Sequence, residues 1–190
     1  MSEQPFASAR IESDRYTIEG GFPWTFERTF RVHDAAGALV LRAEHPLFQK
    51  EREIVLYADE EMLQPLLAVE ERLPRPGLVR VLDIFDAHSY RRLGAIRGRL
   101  FHSVTGHHDV LDGEDRVAGK IVRANRGLFG LLGPSRAFDL ELGGVLVARF
   151  FRRGRGLRAR YEVQVSRADP GIDPRFAIAC TLAMHVGRYR

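Results

Sequence analysis

Apolar and polar residues alternate along most of this 190-residue chain. In FPWTFERTFRV, Phe22, Trp24, Phe26, Phe30 and Val32 fall on one side, with Thr25, Glu27, Thr29 and Arg31 on the other. Successive side chains of a strand point to opposite faces, so this stretch predicts a half-buried strand. HDAAGALV then supplies a turn, and ALVLRAEH predicts the returning strand. The unit recurs in VLDIFDAHSYRRLGAIRGR, in DVLDGEDRVAGKIVR with its Asp112-Gly113 turn, and in FDLELGGVLVARFF with its Gly143-Gly144 turn. Each reads as a hairpin: apolar strand, tight turn, apolar strand. About twelve strands of ordinary length follow, spaced too unevenly for a solenoid or propeller.

Two stretches break the alternation. DEEMLQPLL predicts a short helix with Asp59 as N-cap, ending at Pro65. At the other end of the chain, Asp173-Pro174 is an N-cap followed by proline at the first helical position. From Phe176 to Val186 that helix has no polar face. A helix apolar all round is buried all round, and about 16 Å of length is too short to cross a bilayer. Ala177, Ala179, Cys180 and Ala183 keep it thin enough for close packing. A closed sheet wrapped round it is the simplest host, and closure also removes exposed strand edges. The predicted fold is therefore mainly β, a closed antiparallel β-barrel of about twelve strands around a buried hydrophobic C-terminal helix. No Ser/Gly linker divides the chain, so one domain is expected over 16–190, after a flexible tail over 1–15.

Composition adds three constraints. One cysteine, Cys180, excludes an internal disulfide and suits a reducing compartment. MSEQPFASARIESDR has neither the basic nor the apolar region of a secretory signal, so a cytoplasmic location is expected. Charge is uneven: residues 1–90 carry 10 Lys+Arg against 16 Asp+Glu, a net −6, whereas residues 91–190 carry 19 against 9, a net +10. A basic face attracts anions, unless the two halves interleave and neutralise each other in the fold.

The densest basic segment is RFFRRGRGLRAR, where Arg149, Arg152, Arg153, Arg155, Arg158 and Arg160 surround Phe150, Phe151 and Leu157. Guanidinium forks bind phosphate bidentately, and basic residues beside an anionic bilayer contribute about 1 kcal/mol each. The competing reading is a solvated hairpin whose arginines pair with Asp139, Glu141 and Glu162. Arg91, Arg92, Arg97 and Arg99 form a second basic group, which strengthens the anion-site reading if the fold sets it beside the first. A nucleic-acid surface is disfavoured, because no aromatic stacking platform interleaves with the basic strands. His102, His107, His108 and Asp109 make a poor metal site, since adjacent strand histidines diverge and zinc needs three or four convergent ligands. GLFGLLG lacks the Lys-Ser/Thr of a phosphate-binding loop. No G-x-S-x-G, H-E-x-x-H or Ser-His-Asp set is recognisable, so neither a catalytic residue nor a cofactor is expected.

The stretches LYADEEMLQPLLAVEER, DIFDAHSYRRLGAIRGRLFHSV, HHDVLDGEDRVAGKI, RYEVQVS and IDPRFAIACTLAMHV cover most of residues 53–186 in order. With them the chain resembles the tubby C-terminal-like superfamily, which includes tubby domains, phospholipid scramblases and LURP-one-related proteins. The resemblance implies a twelve-stranded barrel around a hydrophobic helix, and phosphoinositide binding through basic residues on the barrel. Scramblases carry an acidic calcium segment before the last helix. Here SRADPGIDP offers only Asp169 and Asp173, too few for about six oxygen ligands. The resulting expectation is a non-enzymatic domain that binds anionic phospholipid head groups, or another phosphate-bearing ligand, at the inner face of the membrane. The alternatives are a protein-interaction scaffold without lipid affinity and, third, lipid transfer or an enzyme with an unidentified site.

Overall fold

The computed structural model describes residues 13–20, 27–46, 53–72, 79–99, 107–124, 137–153, 160–166 and 173–186. Twelve strands lie among them: β1 (Arg15–Gly20), β2 (Glu27–Asp34), β3 (Leu39–Pro46), β4 (Glu53–Tyr57), β5 (Pro65–Glu71) and β6 (Val79–Asp86), followed by β7 (Arg92–Arg99), β8 (His108–Leu111), β9 (Val117–Arg123), β10 (Ala137–Leu142), β11 (Val145–Arg153) and β12 (Arg160–Val165). Each pairs antiparallel with the next, and β1 pairs with β12 as well as β2, so the sheet closes into a barrel. Ile18 sets the closure, lying opposite Tyr161 of β12 and Val32 of β2.

One face of every strand is apolar and points inward. Ile18, Val32, Leu56, Leu67, Ile84 and Ile121 are all completely buried. The outer wall carries charge, including the pairs Arg42–Glu44, Lys120–Glu141 and Arg149–Asp139. That is the reverse of a membrane-spanning barrel, whose outward face is the apolar one. No helix among the described residues is long and apolar enough to cross a membrane.

A twelve-stranded ring is too wide for its own side chains to fill. The single helix among the described residues, α1 (Pro174–Val186), fills it. Ala177, Ile178, Ala179, Cys180, Leu182 and Ala183 are all at most 1% exposed and belong to one core with residues of the strands. The helix meets β12 on one side and β5, β6 and β7 on another, so it stands within the ring. Its polar Thr181 is satisfied internally, the hydroxyl donating to the Ala177 carbonyl at 2.9 Å. Asp173 caps it as predicted, its Oδ1 accepting from the Arg175 N–H at 2.9 Å.

The barrel has two unlike ends. At the turn end, aspartates close four connections. Asp34, Asp59, Asp86 and Asp112 accept backbone N–H groups of Ala36, Leu63, Ser89 and Glu114 at 2.8–2.9 Å. The helix begins here, after β12, and its 13 residues rise about 20 Å. That matches the height of tilted eight-residue strands, roughly 20 Å, and brings Val186 to the opposite end.

One predicted element is overturned. Residues 59–67 are not a helix: a single turn runs to Gln64, with Met62 at φ 59°, and β5 starts at Pro65. Asp59 does cap, but its second oxygen takes the Gln64 N–H and closes the turn at once. Pro65 has no N–H to continue a helix, and Leu67 and Val69 then alternate inward. Of the expected tail, residues 1–12 lie outside the described ones, as do Phe22, Trp24 and Phe26 of the first predicted strand.

Candidate functional site

The end opposite the turns gathers arginine. β6 starts there with Arg80, β7 finishes with Arg97 and Arg99, β9 with Arg123, β11 with Arg152 and Arg153, and β12 starts with Arg160. Antiparallel order produces this, since alternate strands begin and end at the same rim.

Most of these guanidinium groups on the outer wall have carboxylate partners. Arg149 grips Asp139 across the β10–β11 pair through Nε at 2.5 Å and Nη2 at 3.0 Å, and that hydrogen bonding raises the arginine's already high pKa further. Arg153 pairs with Glu162 at 3.0 Å and Arg160 with Glu19 of β1. Arg97 donates from Nε and Nη2 to Asp109 of β8, at 3.1 and 2.8 Å. Arg155 and Arg158 lie outside the described residues.

The second basic group is split. Arg91 and Arg92 sit at the turn end and Arg97 and Arg99 at the other, about 23 Å apart at strand rise. Arg91 is exposed, with no ion pair among the described residues. Arg92 belongs to a four-residue network on the outer wall. Asp83, 7% exposed, accepts from Arg72 Nη2 at 2.6 Å and forms an ion pair with Arg92, whose Nε lies 2.8 Å away without the geometry of a hydrogen bond. Asp115, in the β8–β9 turn, receives Arg72 at 3.0 Å and Arg92 at 2.6 Å. The guanidinium of Arg92, then that of Arg72, holds the Asp115 carboxyl well below the usual carboxylate range. Three strands, β8 to β10, separate β7 from β11, so the two basic groups do not lie side by side and share only an end of the barrel.

Arg152 differs from its neighbours. It lies opposite Tyr161, a core residue, and so faces inward. Its Nε is buried without a hydrogen-bond partner, as are those of Arg80 and Arg123, but unlike them it has no ion pair or other partner among the described residues. Four further polar residues share the inward face at this rim: Glu71, Arg80, His108 and Arg123. Counting alternate positions outward from Leu82, Val110, Ile121 and Phe150 would have pointed to them in the sequence.

His107 Nε2 stands 3.7 Å from Asp109 Oδ1, whereas His108 covers Gly98 on the inner face. No three metal-ligating side chains converge among the described residues. His102 and the 127–133 glycine stretch lie outside those residues. Cys180 is wholly buried, and burial drives its thiol pKa far upward, which makes it unreactive. No protein-family model, curated protein or solved structure matches the chain.

Proposed function

We propose that this barrel is a non-enzymatic binding domain for anionic, phosphate-bearing ligands, with the head groups of acidic phospholipids at the cytoplasmic face of a membrane as the leading class. The concentration of arginine on one rim carries this reading: seven residues from five strands. Guanidinium groups recognise phosphate as planar forks, and a cluster of them raises the local concentration of anions. The resemblance to tubby-like barrels supports the same conclusion. Flotation with vesicles that contain or lack phosphoinositide tests it. Binding that requires the phosphoinositide and weakens with salt is expected; absence of binding at low salt would contradict it.

A second reading has its own support. Arg97, Arg149, Arg153 and Arg160 each already hold a carboxylate, as a scaffold that binds proteins without lipid affinity would have them. A partner captured equally by wild type and by an Arg153→Glu variant, at any salt concentration, favours the scaffold.

A further inference from the structure

The apolar lining of the barrel stops one layer short of the arginine-rich rim. Beyond Leu82, Ile96, Val110, Ile121 and Phe150, the next inward positions are Arg80, Gly98, His108, Arg123 and Arg152. Glu71 joins them from β5. The interior thus changes from hydrocarbon to charge within one residue step.

These residues are not equivalent. Arg80 is held by Glu71, Nη2 to Oε2 at 3.1 Å, with side chains only 15% and 13% exposed, so that pair is internally neutral. The His108 ring occupies the space over Gly98: a β-carbon there would run into its Nδ1. Arg123 sits level with Phe138 and Phe150, and makes contacts of its own within the protein. Arg80, Arg123 and Arg152 each bury an Nε that meets no acceptor, but Arg152, one inward step beyond Phe150, alone of the three has no other partner among the described residues.

A buried guanidinium N–H without an acceptor is costly, and it persists where a ligand completes it. Arg42 and Arg92 on the outer wall also bury an Nε without an acceptor, but these and the other paired outer-wall arginines already hold carboxylates, which an anion would have to displace first. Resting on the anionic-ligand reading, we infer that the ligand enters the mouth of the barrel and is held end-on by Arg152. Its chemistry is a phosphomonoester. That group brings three acceptor oxygens and a charge of about −1.5 to −2 at neutral pH, suited to a guanidinium fork. The outer rim arginines then steer the anion and do not bind it.

Calorimetric titration of the full chain with soluble inositol trisphosphate, and vesicle flotation in parallel, separate the possibilities. The mouth site predicts one trisphosphate per chain. Arg152→Gln should weaken binding about tenfold, the scale of one charge-assisted contact. Arg153→Gln and Arg160→Gln should change it less than about twofold. Arg152→Lys keeps the charge and loses the fork, so an intermediate loss is expected, and it serves should Arg152→Gln fold poorly. Without ligand, Arg152→Gln should melt no lower than wild type, while inorganic phosphate should raise the midpoint of wild type more than that of the variant. Loss of binding in Arg153→Gln or Arg160→Gln, with Arg152→Gln and Arg152→Lys unaffected, would overturn the mouth site and leave the anionic-ligand reading standing. Failure of wild type to bind either the trisphosphate or the vesicles would overturn both.

Discussion

Phe176, in the first turn of α1, lies against the backbone of Gly94 in β7. A β-carbon at Gly94 would come 3.1 Å from Phe176 Cε2 and 2.5 Å from the Leu111 carbonyl oxygen. Gly94 faces inward, opposite Ile84, so this contact joins helix to wall where the helix begins.

Gly94→Val should therefore destabilise by about 1–3 kcal/mol or more, because the obstructing atoms are ring and backbone. Gly143→Ala meets nothing within 4 Å but has φ +56°, and should cost only about 1 kcal/mol. Urea denaturation of the two variants checks the ranking. Equal midpoints would mean that the helix does not press on β7.

The Arg72–Asp83–Arg92–Asp115 network ties the β8–β9 turn to the outer wall of β6 and β7. Asp83→Ala leaves two partly buried guanidinium groups sharing Asp115, for an expected loss of about 2–3 kcal/mol. The Arg149–Asp139 pair is more open, its arginine side chain 41% exposed. Arg149→Ala should cost about 1 kcal/mol or less. Thermal unfolding of both variants tests the order.

Acid should expose the same network. Hydrogen bonds from Arg92 and Arg72 depress the Asp115 pKa, the Arg116 side chain depresses that of Asp112, and the Ser89 N–H depresses that of Asp86. Groups whose folded pKa is lowered stabilise the fold fully above the unfolded value, about 4. That contribution is lost as pH falls through the lower, folded values. The melting temperature should hold between roughly pH 5 and 7 and fall below about pH 4. The fall should be shallower in Asp115→Asn; equal slopes would remove Asp115 from the account.

Much of this architecture was legible in the chain. Asp112-Gly113 and Gly143-Gly144 mark turns where the structure has them, with Gly143 and Gly144 at positive φ. Asp173-Pro174 starts the helix, and the lack of a polar face from Phe176 onward places it inside. Residues 59–67 misled because Asp59 caps a single turn as readily as a helix. The partners of the arginines were harder to foresee. Glu19 meets Arg160 from 141 positions away, a pairing that exists only because β1 closes against β12. Arg152 reads in sequence as one more member of a basic run. Its inward aim follows from alternation with Phe150, and the register with Tyr161 agrees with it.

The placement of α1 inside the ring supports every other conclusion, and Cys180 reports on it directly as the one cysteine of the chain. Its thiol is wholly buried and its pKa driven up by burial. The measurement is the rate at which a disulfide-exchange reagent modifies the native protein near neutral pH. The account predicts no modification under native conditions and full reaction once urea unfolds the chain, the native rate tracking global opening. Prompt stoichiometric labelling of the folded protein would place the helix outside the barrel and contradict it.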